Sequence, residues 1–520
     1  MSCSYISNFD DFVFSPSKLL ELPREKNVNN FVRRNIKGVI FSPVLPTPVT
    51  NPKLVSFSED VFKNILNLDP VVSQSQEFVD FVAGNRLLNS SNPLAHRYGG
   101  YQFGYWAMQL GDGRAVLIGE IDNGAGRWEL QLKGAGKTPY SRDGDGRAVL
   151  RSSIREFLCS EAMFHLGIPT SRAGAIIVSD NKVMRDILYD GNPKFEPVSV
   201  VLRIAPSWFR IGSLEILTKN DEIDLLKALI DFIIKTHFPE IEDGEDRIFN
   251  FISKISRMTS DLVISWQAVG FTHGVLNTDN MSLLGITIDY GPFGFMEEYD
   301  PLYVPNYSDT EARYSYGNQI SVILYNLTML VRALFPVLSK EQIQKASVML
   351  QSEKNYIYDK LEETLSKKLG LKTSEPSLVK TFLQLLEDTR ADFVMTFREM
   401  GETPLNGLKK PCCDLWALKR LASHPEFSKF VDIYSQKLLD TGQTDADRMK
   451  QMCSLNPRYV LRNWMAQDAI KQAEEGDYTL VNKLLKILTK PFTKQEEAES
   501  LGYALKPPSW AHSLAVSCSS

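Results

Sequence analysis

His273 to Asn280 reads HGVLNTDN, and Asp289-Tyr290-Gly291 follows nine residues after that asparagine. Asn280 and Asp289 offer side-chain oxygens, the donor type that hard divalent cations take. Mg²⁺ keeps several waters and needs only one or two protein ligands beside phosphate oxygens. The intervening segment Ser282–Tyr290 (SLLGITIDY) predicts a short hairpin that folds one oxygen back toward the other. Asp279, beside Asn280, is a further carboxylate. It reads either as a proton acceptor or as a turn or supporting residue.

The seven-residue step from His273 to Asn280 matches the protein-kinase signature H-R-D-L-x-x-x-N, and Asp289 stands at the aspartate of D-F-G. Asn280 and Asp289 thus fall on the two metal positions of that signature. The catalytic aspartate of H-R-D falls on Val275, which cannot accept a proton. Ordinary phosphotransfer is compromised unless Asp279 takes its place.

Upstream, short β-like runs bounded by glycine occupy 115–121, 127–133, 173–178, 183–188 and 198–204. One helix, expected over Ser153–Leu166, interrupts them, with apolar residues at 154, 157, 158 and 162 and Gly167 as its stop. Lys133 closes the run WELQLK, and Glu156 lies 23 residues later on that helix. Kinases pair a strand lysine with a helix glutamate to aim the lysine at phosphate. Ser153-x-x-Glu156 also fits a capping box, in which Glu156 serves only the helix start. Gly111 and Gly113 in LGDGR let backbone amides approach phosphate, with Arg114 adding charge; a plain hairpin turn reads the same way. Asp145 and Gly146 form a second glycine-rich turn. Arg203 and Arg210 flank APS in VLRIAPSWFRIG and suit bidentate contact with phosphate oxygens. Gly136-Lys137-Thr138 imitates the end of a Walker A loop, but Gln131 stands where its first glycine belongs.

The wider chain fits a two-part design. Residues 1–95 read as an N-terminal arm with a Pro-rich stretch at 42–53, and 96–215 as a β-rich small lobe for nucleotide phosphates. Residues 216–374 read as a helical lobe carrying the metal loop, and 375–520 as a C-terminal helical extension ending in the Cys518 tail. The fold class expected is α+β, with a protein-kinase-like two-lobe fold. With 520 residues, 43% hydrophobic and a net charge of −5, the chain can bury a large core and shows no basic patch for nucleic acid. Six scattered cysteines without a CxxC pair suit a reducing compartment. No run of 18 apolar residues suggests a membrane span.

LGDGRA, ELQLKGAGKTPYSRDGDGRAVLRSSIREFL, SEAMFHLGIPT, VLRIAP with a second arginine, HGVLNTDNMS followed by DYGP, and the closing LAVSCSS together resemble the selenoprotein O family of protein adenylyltransferases. The resemblance implies a kinase-like fold with ATP bound in an inverted pose. AMP then passes to Ser, Thr or Tyr hydroxyls of protein substrates, and pyrophosphate leaves. It implies that Lys133, Arg203 and Arg210 contact the phosphates. Gly111, Gly113, Arg114, Asp145 and Gly146 line the ATP site, and Glu156 orients Lys133. Asn280 and Asp289 bind Mg²⁺, with Mn²⁺ an alternative, and Asp279 accepts the proton. Val275 fits, since the inverted pose does not need the kinase aspartate. Cys518 takes the selenocysteine position of the selenium-bearing members, but Ala515 replaces their first tail cysteine. Pro305 stands where some bacterial members carry a cysteine that pairs with the tail, so a redox role rests on Cys518 alone. EAMFHLGIPT and DGNPKF look closer to animal members and point to mitochondria. The N-terminus, with Asp10 and Asp11, lacks transit-peptide character, and the cytoplasm is the alternative. A monomer is expected. Two other readings stand beside AMP transfer: a kinase using Asp279 as a displaced base, and a nucleotide-binding scaffold.

Overall fold

The computed structural model describes residues 5–517, so the redox expectation for Cys518 lies outside the described residues. Strands β1 (Phe41–Pro43), β2 (Lys53–Phe57), β3 (Leu94–His96), β4 (Gly99–Gln102), β5 (Tyr105–Gln109), β6 (Ala115–Asp122), β7 (Arg127–Lys133), β8 (Ala148–Val149), β9 (Arg172–Arg185) and β10 (Lys194–Ala205) come first. Eight of them form one sheet in the order β1-β3-β6-β7-β10-β9-β2, with β8 also on β10; β4 and β5 pair separately. Every pairing in the large sheet is antiparallel. The runs expected at 173–178 and 183–188 merge into the single strand β9. Its partner β10 is nearly as long, 12 residues against 14, and an irregularity in the pairing between Pro197 and Ser199 marks the polar break.

Both faces of the sheet are covered, which is why its strands read as nearly continuous apolar runs. On one face Val116, Ile118, Leu130, Leu132 and Leu202 pack with Phe62, Phe78, Phe81 and Val82. These last come from α1 (Glu59–Val61) with its following π-turn and from α2 (Gln76–Ala83). Phe9, Phe12 and Phe14 join the same cluster. On the other face Leu117, Ile176 and Val201 meet Ile154, Phe157 and Leu158 of α3 (Leu150–His165). Residues 1–95 therefore contribute both edge strands and one covering layer. The Pro-rich stretch is extended between β1 and β2, as four prolines require.

Helix α3 begins at Leu150 with Val149 as its N-cap, earlier than the Ser153 expected. Ser153 is thus inside the helix and Glu156 lies in its second turn, so the capping-box alternative fails. Beyond the sheet run α4 (Ile211–Lys219), which begins before the helical part expected from residue 216, then α5 (Ile223–His237), α6 (Arg247–Ala268), α7 (Gln319–Ala333) and α8 (Lys340–Lys368) within it. Ser339 and Gln342 close a capping box at the start of α8. Eight further helices lie between Pro376 and Ser500 among the described residues. A two-residue pair, β11 (Phe271–Thr272) with β12 (Gly294–Phe295), frames the segment that holds the site. Among the described residues no helix is long and apolar enough to cross a membrane.

Candidate functional site

Strand periodicity places the first cations. In the β7–β10 register Val201 faces Lys133 and Arg203 faces Gln131. Opposed residues share a face and so do residues two apart, so Lys133, Gln131 and Arg203 all point to the α3 side. Glu156 of α3 meets them there. Its Oε2 lies 2.7 Å from Lys133 Nζ, and its Oε1 lies 3.0 Å from Arg203 Nη1. Asp289 completes the group: Oδ1 accepts from Lys133 Nζ at 2.8 Å and from Arg203 Nη1 at 3.2 Å. Two cations and two carboxylates thus interlock, with Lys133, Glu156 and Arg203 almost fully buried. Removing one member of so buried a set costs far more than the set itself contributes. Burial pushes the Asp289 carboxyl up, but Lys133, Arg203 and Arg210 outweigh this and hold it well below the usual carboxylate range. Asp289 keeps a left-handed backbone, φ 63°, a conformation that aspartate tolerates better than most residues with a Cβ.

The loop expected to form a hairpin is shorter than that. Met281 and Thr287 make a single antiparallel bridge, and Thr287 also bridges Thr170. Gly285 turns the chain hard against Met258, where a side chain has no room. Asn280 Nδ2 donates to Val275 O at 3.0 Å. His273 is buried with Nε2 3.0 Å from Ile288 O, tying the two halves of the loop together. Arg210, the N-cap of α4, donates from Nη1 to the Asp279 carbonyl at 2.9 Å and lies over the Tyr98 ring at 4.2 Å. The Asp279 carboxyl is pushed up to about 6 by burial, against the opposing pull of Arg210 and a bond from Gln102. Its Oδ1 is buried and has no hydrogen-bond partner among the described residues.

Gly111, Gly113, Arg114, Lys133, Asp145, Gly146, Arg203, Arg210, Asp279, Asn280 and Asp289 all line one cavity of about 850 Å³. Val275 lines it too. Glu156 stands behind the wall, reaching the cavity through Lys133 and Arg203. Basic side chains outnumber acidic ones around the rim, so the cavity favours a polyanion. Two of the expected contacts have local causes of their own. Gly111 (φ 86°) is held against Tyr140, whose ring a side chain at 111 would strike. Gly146 lies against the Gly136–Lys137 backbone, so a tight packing of two turns demands it. Asp145 is gripped by Arg185 at 2.7 and 2.8 Å. Lys137 of the Walker-like string is not among the lining residues, and no helix follows it before Leu150.

Several contributors left little trace in the sequence. Gln131 accepts from Arg203 Nε at 3.0 Å, and its place two residues before Lys133 on the same strand face was its only signal. The β4–β5 hairpin closes over the loop. Tyr101 N donates to Thr278 Oγ1 at 2.7 Å, and Gln102 Nε2 donates to Asp279 Oδ2 at 3.3 Å. A Cβ on Gly100 would sit 2.5 Å from Asp279 Oδ1 and 2.8 Å from its Cβ. Gly100→Ala is therefore expected to shift Asp279 and cost about 100-fold in transfer activity, the scale of a 1 Å misplacement. An unchanged melting temperature beside that loss would assign it to position rather than folding. Glu215 of α4 accepts from Thr278 Oγ1 at 2.6 Å, with its other oxygen buried and unpartnered. Burial lifts its carboxyl to about 8; the Thr278 bond opposes this and Asp279 adds to it. The folded protein then holds a proton that the unfolded chain releases near pH 4.5, so stability declines as pH rises from there to about 8. Glu215→Gln is expected to flatten that decline by on the order of 1 kcal/mol per pH unit, read from denaturation curves at pH 5 to 8. Parallel curves for both proteins would show that Glu215 does not titrate in this window.

Among the described residues no cluster of three or more His, Cys, Asp and Glu could hold a metal. The smaller set here still fits a hard cation that keeps its waters: the oxygens of Asn280 and Asp289, with the orphaned oxygen of Asp279 near by. Near the other end of the chain, Tyr307 N donates to Val516 O at 2.8 Å, so the segment after Pro305 lies beside the tail. Cys159, Cys412, Cys413 and Cys453 are free thiols.

The family model for protein adenylyltransferase SelO matches residues 29–489. A protein nucleotidyltransferase YdiU from Azoarcus sp. (strain BH72) is 43% identical over 98% of this chain and 99% of its own length. Its namesake from Aromatoleum aromaticum is 42% identical over 96% of this chain and 98% of its own. The one from Flavobacterium johnsoniae is 41% identical over 96% and 97%. These relatives are bacterial, so the mitochondrial placement drawn from the animal-like strings finds no support. The chain is a nucleotidyltransferase and belongs to the SelO family of protein adenylyltransferases.

Proposed function

We propose that the chain moves AMP from ATP to Ser, Thr or Tyr hydroxyls of other proteins, releasing pyrophosphate, in the presence of Mg²⁺ or Mn²⁺. The observation that carries this reading is the gathering of Lys133, Arg203, Arg210, Asp279, Asn280 and Asp289 around one cavity whose wall at the kinase-aspartate position is Val275. The cavity sits between a sheet-rich part, roughly 96–215, and a helical part, roughly 216–374, in a kinase-like two-lobe division. Residues 1–95 complete the sheet with its two edge strands and a covering layer, and 375–520 pack against the core.

In the reaction the acceptor oxygen bonds the α-phosphorus while the α–β bridging bond breaks and pyrophosphate departs. The hydroxyl proton goes to Asp279. Lys133 and Arg203, aimed by Glu156, take up negative charge on the phosphates, and Arg210 adds to them while holding the Asp279 backbone. Little else is required, because catalysis at phosphorus rests mainly on positioning and charge neutralisation. Asn280 and Asp289 would hold the divalent ion, which supplies further charge neutralisation when bound. Gly111, Gly113, Arg114, Asp145 and Gly146 form the wall against which the nucleotide lies.

The deciding experiment supplies ATP labelled at the α- or the γ-phosphate with Mg²⁺, and repeats it with a chelator. Protein-bound α label that vanishes on chelation supports AMP transfer. Bound γ label would make the chain a kinase with Asp279 as its base, and no label from either would favour the scaffold.

A further inference from the structure

A second cavity, about 430 Å³, opens between α3, the β9–β10 hairpin, helix Asn463–Glu474 and the chain at Leu514–Val516. Its size is that of a small-molecule site. Arg151 and Arg155 enter it from α3, and Lys182 and Lys194 from the hairpin. Arg151 is committed to Glu196, with bonds of 2.9 and 3.1 Å. Arg155 is not committed to any carboxylate. It is 5% exposed, and it donates to Asn463 Oδ1 at 3.0 Å and to the Phe293 carbonyl at 2.7 Å, both neutral. Its guanidinium lies over the Phe293 ring at 4.4 Å, and its Nε has no partner among the described residues. Burial draws its pKa down to about 10. A buried cation with only neutral partners keeps most of its desolvation cost. Lys182 and Lys194, both exposed, make no ion pair within 4.0 Å among the described residues, although the Glu474 carboxyl in the cavity wall lies within the field of Lys194.

We propose that this cavity binds a small multivalent anion, of the phosphate or carboxylate class, seated on Arg155 and closed by Lys182 and Lys194. The site is separate from the nucleotide cavity and does not depend on the AMP-transfer reading. It is mechanically connected to it, because Arg155 precedes Glu156 on α3 and grips Phe293, four residues after Asp289. An anion on Arg155 would therefore stiffen both elements that hold Lys133 and Arg203.

Calorimetric titration of the full chain with inorganic phosphate and, separately, with citrate tests the assignment. The wild type, Lys133→Ala, Arg155→Gln and the double variant Lys182→Ala/Lys194→Ala are compared. Binding of either probe is expected in the wild type and in Lys133→Ala alike. It is expected to weaken about 10-fold or more in Arg155→Gln and in the double lysine variant, the scale of losing a charge-assisted hydrogen bond. Phosphate alone binding would assign phosphate esters, and citrate binding as well would widen the class to carboxylates. Binding that disappears in Lys133→Ala but survives in the double variant would overturn the proposal, as would no binding of either probe. Should Arg155→Gln not fold, the exposed lysine pair carries the test.

Discussion

Asp289→Ala is expected to abolish AMP transfer, lowering it by about 1000-fold or more, while leaving a folded protein. The size follows from two losses at one position. Asp289 is the carboxylate among the two proposed metal ligands, and a cation with so few protein ligands does not hold without it. Its Oδ1 is also the acceptor that Lys133 and Arg203 share on the cavity side. Without it Lys133 keeps only Glu156, Arg203 keeps Glu156 and the neutral Gln131, and both swing toward that side. Loss of one preorganised charge contact typically costs a factor of 100 to ~1000, and here two are disturbed together. Transfer of α label by the variant, measured beside the wild type with a melting curve for each, decides the matter. Near-normal labelling would contradict the site assignment outright.

Lys133→Ala is expected to lower transfer by at least about 100-fold, the usual scale for a single preorganised charge contact. The variant removes the positive charge nearest the shared oxygen of Asp289 and leaves Glu156 facing Arg203 alone. Glu156 and Asp289 then carry one charge more than Arg203 balances, which repels the phosphates Lys133 would have met. Glu156→Gln should do less, because the amide oxygen still accepts from one of Lys133 and Arg203 while the charge balance turns more positive. The order of effects, Asp289 above Lys133 above Glu156, distinguishes a phosphate-directed network from a merely structural one. A structural network would lose most at its deepest member, and Glu156 is only 2% exposed. Single-turnover labelling at saturating ATP separates weaker binding from slower transfer.

Much of the site could be read along the chain because its parts carry local spacing. His273, Asn280 and Asp289 sit at intervals set by one turn and one short return, and such intervals survive in sequence. Lys133 and Arg203 could be suspected as charged residues ending or punctuating apolar strands. Glu156 could not be decided, since Ser153-x-x-Glu156 is equally a helix start. The helix begins at Leu150 because β8 hands the chain directly into it at Val149, and no residue near Ser153 reports that. The separate strands expected at 173–178 and 183–188 were divided by Ser179 to Lys182, a polar stretch of which only Lys182 has a partner on β10; the continuous β10 carries the pairing across that break. The N-terminal 95 residues read as an arm because their aromatic residues and short strands have no periodicity of their own; each is completed by a neighbour far away in sequence.

The sequence by itself determined the residue types and the short-range geometry: oxygen donors on one loop, glycine where two chains crowd, a valine where kinases carry aspartate, and the strings that identify the family. Only the tertiary structure decided that Glu156 faces Lys133 rather than a helix end, that the β4–β5 hairpin presses Gly100 and Gln102 on Asp279, and that Arg155 stands buried without a carboxylate. The physical reason is the same in each case. Spacing within a turn or strand is set by covalent geometry and backbone hydrogen bonds, which the local residues dictate. The partner of a buried charge is set by which distant elements pack together, and that depends on the apolar faces of the whole sheet and its covering helices.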